Sequence, residues 1–520
     1  MKNIDYIKNI KNDLPASVVV FFVAIPLCLG IALASGAPLF SGLISGIIGG
    51  FFVGLISGSQ VGVSGPAAGL AAIVLAAITS LGSFETFLLA VVLGGVIQLL
   101  FGIFKAGVIG YYFPSSVIRG MLTGIGLIII IKQLPYFFGF TYNSIASSNE
   151  LESSFLSQIS MGSTIVAVIS LTILLVWENI LSKKAKIFTL IQGPLVAVVF
   201  GIVYTYLNAG KTLGITENNL VSVPQSADLS SLLSNFTFPN FSAIALQEVW
   251  IVGFTIALVA SLETLLCVEA TDKLDPQKRV TPKNRELVAQ GLGNIFSGLI
   301  GGLPVTQVIV RSSANIQSGG KTKVSAILHG IFLLVSVMTI PALLNKIPLS
   351  VLAAILLVVG YKLAKPQLFI SMYRSGWKQF LPFVVTVIGI VTTDLLIGIF
   401  VGLAVGIAFI LIDSYKNSHA LIVDQSIEGE NKYRISFAEE VTFINKEPVY
   451  RELERLPEQA QLELDVLKTK FLDLDILEVI DDYLQSHSHK KIHVRVITER
   501  GVFENPKDLH GTIFPQKNTG

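Results

Sequence analysis

Arg311 is a full positive charge set in a long apolar sequence. It lies in the run Q-V-I-V-R-S-S-A-N-I-Q-S-G-G from Gln307 to Gly320. Burying a cation at membrane depth is costly, so an intramembrane arginine reads as functional, with structural pairing as the bland alternative. An earlier run, Q-V-G-V-S-G-P-A from Gln60 to Ala67, puts Ser64 where the later one has Arg311. Both read Q-V-x-V, and each follows a glycine-rich apolar stretch containing F-S-G-L-I, at Phe40–Ile44 and Phe296–Ile300. That is the pattern expected of an internal duplication. The β-branched residues of Q-V-x-V predict a short extended entry, and Gly65, Pro66 and the later serines predict the first turn of a helix beginning inside the membrane. Broken segments in corresponding positions of two halves mark a transporter's binding site. Their free N–H groups and positive dipole ends favour a negative ligand. The expected ligand is a small inorganic anion, held by the backbone around Ser64, Gly65, Pro66, Ala67 and Ala68 and around Arg311 and Ser312.

The elements that position these residues follow from composition. Of 520 residues, 52% are hydrophobic and 14% charged, and the mean hydropathy is +0.70. This is a polytopic, α-helical membrane protein. A net charge of +2 gives no case for nucleic acid. No cofactor is implied, and no nucleophile, base and oxyanion set assembles into an enzyme. Cys28 and Cys267 lie in different apolar helices and read as packing residues, without disulfide or metal spacing. The S-G-G-K-T run at Ser318–Thr322 resembles the end of a phosphate loop but lacks its upstream glycine and soluble strand. His329 stands alone on an apolar helix, and Arg119 near a span end reads as a packing residue.

Runs of about 17–25 apolar residues, with shorter ones at the broken segments, give about fourteen spans. Residues 1–13 form a basic tail, 14–207 the first seven spans, 208–245 a polar loop and 246–412 the second seven. The half-helices are expected at Ser64–Thr79 and Arg311–Ser318. With the tail in the cytosol, Lys183, Lys184, Lys186, the Lys273–Arg285 loop, Lys362, Lys365, Arg374 and Lys378 all fall inside. Seven spans per half is odd, so the halves must be inverted. Residues 413–432 read as a linker and 433–514 as a small cytosolic α/β module, with strands at Leu462–Leu467 and Lys491–Thr498 and a helix at Asp475–Gln485. Residues beyond Phe514 read as frayed.

The chain resembles the SulP family of anion permeases over nearly its whole length. The residues that carry this are V-S-G-P-A-A-G-L at Val63–Leu70, F-P-S-S-V-I-R-G-M-L-T-G-I-G at Phe113–Gly126, S-L-E-T at Ser261–Thr264, and the R-S-x-x-x-x-x-S-G-G-K-T run at Arg311–Thr322. The resemblance implies two inverted seven-segment repeats arranged as core and gate domains, a homodimer, an anion between the third and tenth segments, and a C-terminal STAS domain. It departs from the family in two places. The loop D-V-L-K-T-K-F-L-D-L-D lacks the Asp-Ser pair of phosphorylated antagonists, and Val310 stands where exchangers often have serine, leaving the backbone there and Ser312 as contacts.

In relatives an acidic residue at Glu263 is associated with coupling to protons or sodium. Cys267, one helical turn on, supplies sulfur where sodium prefers oxygen, which tilts the expectation toward protons. The function expected is secondary transport of bicarbonate or sulfate by alternating access in a cell membrane, with both termini cytosolic. The rivals are an uncoupled exchanger or channel, a nucleobase permease of the same architecture, and a membrane-anchored sensor acting through its C-terminal module.

Overall fold

Apolar runs of this length satisfy their backbone in a bilayer only as helices. The computed structural model describes residues 6–108, 114–140, 159–184, 188, 191–225, 233–393, 395–425, 431–506 and 508–514. The expected fraying beyond Phe514 lies outside them. The chain divides into two compact units, residues 1–403 and 404–520.

The first unit opens with α1 (Tyr6–Ala34) and α2 (Leu39–Ile56), then strand β1 (Ser64–Pro66), the half-helix α3 (Ala68–Leu81), α4 (Phe84–Ile103), α5 (Ser115–Phe137), α6 (Met161–Lys184) and α7 (Gly193–Leu207). It continues with α8 (Gln247–Leu274), α9 (Lys283–Leu299), strand β2 (Val305–Gln307), the half-helix α10 (Ile309–Gln317), α11 (Val324–Thr339), α12 (Leu349–Leu363), α13 (Trp377–Thr392) and α14 (Leu395–Lys416). Among the described residues, eight helices are long and apolar enough to cross a membrane and four shorter ones are apolar. The two left over, α9 and α10, carry buried polar residues, among them Glu286, Gln290, Asn294 and Arg311. α1 begins at Tyr6, inside the stretch expected to be a tail, and Asp13 is fully buried.

Packing gathers these helices into two groups joined through α1, which also lies against α12 and α7. α4 lies against α8 and α9, and α1 against α2, α10 and α11, whereas α5 lies against α12 and α13, and α6 against α7 and α12. Close approach in the first set depends on glycine. A Cβ on Gly291 of α9 would lie 2.5 Å from the backbone nitrogen of Leu99, and one on Gly95 of α4 would lie 2.6 Å from that of Ile295. Backbone cannot give way as a flexible side chain can, so α4 and α9 are locked at contact distance.

The two strands pair antiparallel, with Ser64 opposite Gln307, Gly65 opposite Thr306 and Pro66 opposite Val305. This corrects the register of the expected duplication. Ser64, Gly65 and Pro66 form the strand and not the first helical turn, while in the later run the helix already begins at Ile309, so Q-V-x-V is not extended in the same place in both. F-S-G-L-I opens α2 but closes α9. A glycine-rich apolar chain offers few residue types, so short identical peptides arise without structural equivalence. What corresponds is the order strand then half-helix, β1–α3 and β2–α10.

The second unit holds β3 (His419–Gln425), β4 (Asn431–Phe437), α15 (Lys446–Glu454), β5 (Gln461–Asp465), α16 (Leu474–Ser486), β6 (His493–Thr498) and β7 (Gly501–Glu504). They make one five-stranded sheet in sequence order, β4, β5 and β6 parallel and the two outer pairs antiparallel. Ile435, Leu464, Val496, Ile476 and Tyr483 belong to its core. The strands and helix expected after Tyr433 are present within one or two residues at nearly every boundary, β6 beginning two residues after Lys491. The stretch 413–432, expected to be a linker, instead carries the end of α14 and the edge strand β3, because the β-branched run in His419–Gln425 pairs along β4 and completes the sheet.

Gly291→Val is expected to prevent the α4–α9 contact and yield little monodisperse protein on gel filtration in detergent. Recovery equal to wild type would show that this interface tolerates separation.

Candidate functional site

The site is assembled where the two broken segments cross. β1 is the entry to α3 and β2 the entry to α10. Because the strands are antiparallel, the half-helices leave the ribbon in opposite directions with their N-termini on either side of it. Helix α8 passes both. Gly69 sits against the Glu263 carboxylate, and the backbone of Ile309 lies beside the Cys267 thiol. Glu263 and Cys267 are four residues apart on one helix, which places the two N-termini about 6 Å apart along it. A Cβ on Gly69 would lie 2.6 Å from Glu263 Oε2, so a larger residue there would push the carboxylate aside.

A polar stripe on α9 holds the ribbon. Glu286, Gln290, Asn294 and Ser297 recur at helical spacing and all are buried. Glu286 accepts from Ser57 Oγ at 2.6 Å and from Gln290 Nε2 at 2.9 Å. Gln290 Nε2 also donates to Ser64 Oγ at 2.7 Å. Asn294 accepts from Val305 N at 2.5 Å, and donates to Val305 O at 3.1 Å and Gln98 Oε1 at 2.7 Å. Ser297 Oγ donates to Leu303 O at 2.7 Å. The sequence reading missed this stripe. Its signal was present as E-x-x-x-Q-x-x-x-N-x-x-S, one polar residue per turn of an otherwise apolar helix.

The other ends of α10 and its loops are tied as well. Val308 N donates to Val63 O at 2.9 Å, and Asn315 Nδ2 to Val61 O at 3.0 Å. Asp13 accepts from the amides of Lys321 and Thr322 at 2.7 and 3.0 Å, so S-G-G-K-T ends a helix instead of cradling phosphate. Lys323 Nζ and Arg285 Nε donate to Leu55 O and Ile56 O at 2.7 and 2.9 Å, satisfying carbonyls at the end of α2.

Of the residues expected to bind the anion, only two reach open space, Ala68 partly and Val310 at 40% exposure. Ser64, Gly65, Pro66 and Ala67 are buried in the ribbon and its exit, and Pro66 has no N–H to give. Ser312 is fully buried; its hydroxyl donates to Val308 O at 2.8 Å and accepts from Val63 N at 3.0 Å, so it is a structural tie and not a ligand. Arg311 is fully buried. Its Nη2 donates to Cys28 Sγ at 3.2 Å and its Nη1 lies against Gly65, while Nε and Nη1 have no hydrogen-bond acceptor. Cys28, read as a packing residue, is therefore the arginine's partner. Glu263 does not pair with Arg311, and its Oε2 is unpartnered. Ala67, Ala68 and Val308 pack in one apolar cluster with Val117, Met121 and Leu122 of α5 and Ile399 of α14.

Two half-helix N-termini thus lie on either side of one ribbon inside an apolar bundle, with a buried guanidinium beside it. Residues 10–386 match the model of the Sulfate permease family, and the chain belongs to that family of anion transporters. YvdB of Bacillus subtilis, which bears the name of a sulfate transporter, is 30% identical over 411 residues, 78% of this chain and 74% of its own. The bicarbonate transporter BicA of a Picosynechococcus strain is 27% identical over 451 residues, 84% and 76% of the two chains. Among solved structures, the transmembrane domain of a cyanobacterial BicA superposes with a TM-score of 0.63 at 26% identity, covering 78% of this chain and 98% of that one. Murine Slc26a9 in its inward-facing state gives 0.76 at 18% identity over 95% and 86%, a likeness of fold alone.

Asn294→Ala is expected to cost about 2–3 kcal/mol, since it orphans both polar groups of Val305 inside the membrane. A lowered midpoint of thermal unfolding in detergent would register it; an unchanged midpoint would show that the ribbon does not depend on α9.

Proposed function

We propose that the chain is a secondary active transporter of bicarbonate or sulfate, working by alternating access and coupled to protons. The observation that carries this is Arg311, a buried charge with no acid among its hydrogen-bond partners. A cation in low dielectric attracts a small anion to the gap between the two N-termini, where backbone amides of Ala68 and Val310 can donate to it. The guanidinium then acts through its field, from behind the ribbon, and the amides make the contact. Inversion of the two halves fits the opposed half-helices, and the division into two packing sets fits core and gate domains moving past each other.

Coupling rests on Glu263. Its carboxylate borders the gap, and an ionised form there opposes an arriving anion. Protonation removes that repulsion, so proton and anion load together. A sodium ion would need oxygen ligands, and the next turn of α8 offers the Cys267 sulfur. The α/β unit at residues 404–520 fits a STAS-like module in its strand and helix alternation. A homodimer in the cell membrane with both termini cytosolic completes the reading.

The test is uptake of labelled bicarbonate and sulfate into proteoliposomes under an imposed proton gradient, and then a sodium gradient. Accumulation of one anion driven by protons is expected. Arg311→Ala should lower uptake at least about tenfold, given roughly 1.4 kcal/mol per factor of ten and a buried charge of greater worth. Glu263→Gln should keep anion exchange while losing the response to the proton gradient. Accumulation driven by sodium alone, or equilibration without accumulation, would sink the proton-coupled reading.

A further inference from the structure

Arg311 leaves two polar atoms unanswered, and a second buried side chain near it does the same. His329 of α11 is fully buried, its Nδ1 lies 2.7 Å from Ala326 O, and its Nε2 has no hydrogen-bond partner. A carbonyl only accepts, so the ring proton sits on Nδ1 and Nε2 presents a lone pair. The Arg311 atoms that lack a partner, Nε and Nη1, are donors. An unmet acceptor and two unmet donors thus lie in the interior of one bundle, where each is costly.

Helix α2 brings them to one recess. A Cβ on Gly46 would lie 2.5 Å from Cys28 Sγ, 3.0 Å from Leu333 Cδ1 and 3.8 Å from Arg311 Nη1. One helical turn on, a Cβ on Gly50 would meet His329 Cε1. Between them, a Cβ on Gly49 would lie 2.6 Å from the nitrogen of Gly65, the residue against which Nη1 rests. Helix positions one turn apart stand about 5–6 Å from each other, so guanidinium and imidazole are neighbours, close enough for the charge to act on the ring. The three glycines keep the space between them clear of side chains. Helix α2 is π-helical here, from Ile48 to Val53, a distortion that recurs at functional sites.

No direct bond joins the two side chains, since all three atoms lack partners. Buried polar atoms at this separation are bridged by water, which takes about two to four such partners. An anion in the recess would meet the Nε2 lone pair, so water fits the set and an anion does not. We propose that one water molecule is bound between Arg311 and His329, accepting from the guanidinium and donating to Nε2, and that His329 is thereby a positioning residue of the anion site. Through the water it fixes where the charge stands behind the ribbon. This rests on the transport reading above.

Two exchanges separate the two ring nitrogens. His329→Asn keeps a polar group near the Nδ1 position and drops the one at Nε2, whereas His329→Gln keeps the Nε2 position and drops Nδ1. Losing a hydrogen bond to a charged group corresponds to about tenfold or more in an equilibrium. His329→Asn should therefore raise the KM for bicarbonate and sulfate uptake into proteoliposomes about tenfold, and His329→Gln should return it to within about threefold of wild type. A ring that serves only by packing and by its tie to Ala326 predicts equal losses or the reverse order.

A second measurement reads the water without transport. Every other histidine lies in the second unit, so full-length protein with those exchanged for glutamine and with isotopically labelled histidine reports His329 alone. Solid-state NMR in lipid, with magnetisation passed from water, should find Nδ1 protonated and Nε2 unprotonated and reached by water. A proton on Nε2, or an Nε2 that water does not reach, overturns the inference. So does a KM unchanged by His329→Asn while wild type transports, or His329→Gln as damaging as His329→Asn. Wild-type protein silent to both anions would overturn the transport reading instead, and the NMR result would still decide for or against the water.

Discussion

Interrupting a helix inside a bilayer strands backbone N–H and C=O groups where no water can reach them. Here two interruptions answer each other. β1 and β2 exchange backbone bonds, Val308 N and Val63 O extend the pairing, and the residues left at the edges are taken up by side chains of α9 and α10. Neither broken segment would be tolerable without the other, so they are specified as a pair. The buried polar stripe on α9 exists for the same reason: Asn294 serves Val305 as a strand neighbour would. Breaking the helices also leaves two helix N-termini inside the bundle.

The buried guanidinium follows from this arrangement. With the ribbon closed, the space behind it is bounded by α1, α2 and α11, and Arg311 fills it with no acid in hydrogen-bond reach. Placing the charge there keeps it from being neutralised by a fixed partner or by solvent, and leaves its field to act through one layer of backbone. Helix α1 is bonded to the α10 segment at both levels, by Asp13 to the loop after it and by Cys28 to Arg311. The charge, the ribbon and α1 are thus one mechanical body.

The sequence revealed the class, the long apolar helices and the two places where helices break, because apolar length and a lone charge are local signals. Arg311 and Glu263 stood out for the same reason. What it concealed was direction. Nothing in Q-V-x-V tells whether Arg311 faces the cavity or the interior, and Ser312 looks like a ligand until Val63 is seen to claim its hydroxyl. Repeated pentapeptides misled about register, since glycine and small apolar residues recur throughout a bundle packed this closely. Asp13 and Gln290 act across 226 residues or more of sequence, and contacts of that separation leave no mark in spacing.

The division of labour at the site also bears on how such a protein can change over generations. Ser64, Gly65, Gln290, Asn294, Arg311 and Ser312 are bound into the frame by hydrogen bonds or by contact, so an exchange at any of them disturbs the fold along with the ligand. Ala68 and Val310 reach the open side, one small and one aliphatic, and no side-chain polar atom of theirs holds anything in place. Under the proposed mechanism, exchanges at these two positions would retune the size and polarity of the accepted anion while the frame stays fixed. Diversity of substrate with constancy of architecture is the pattern such a separation allows.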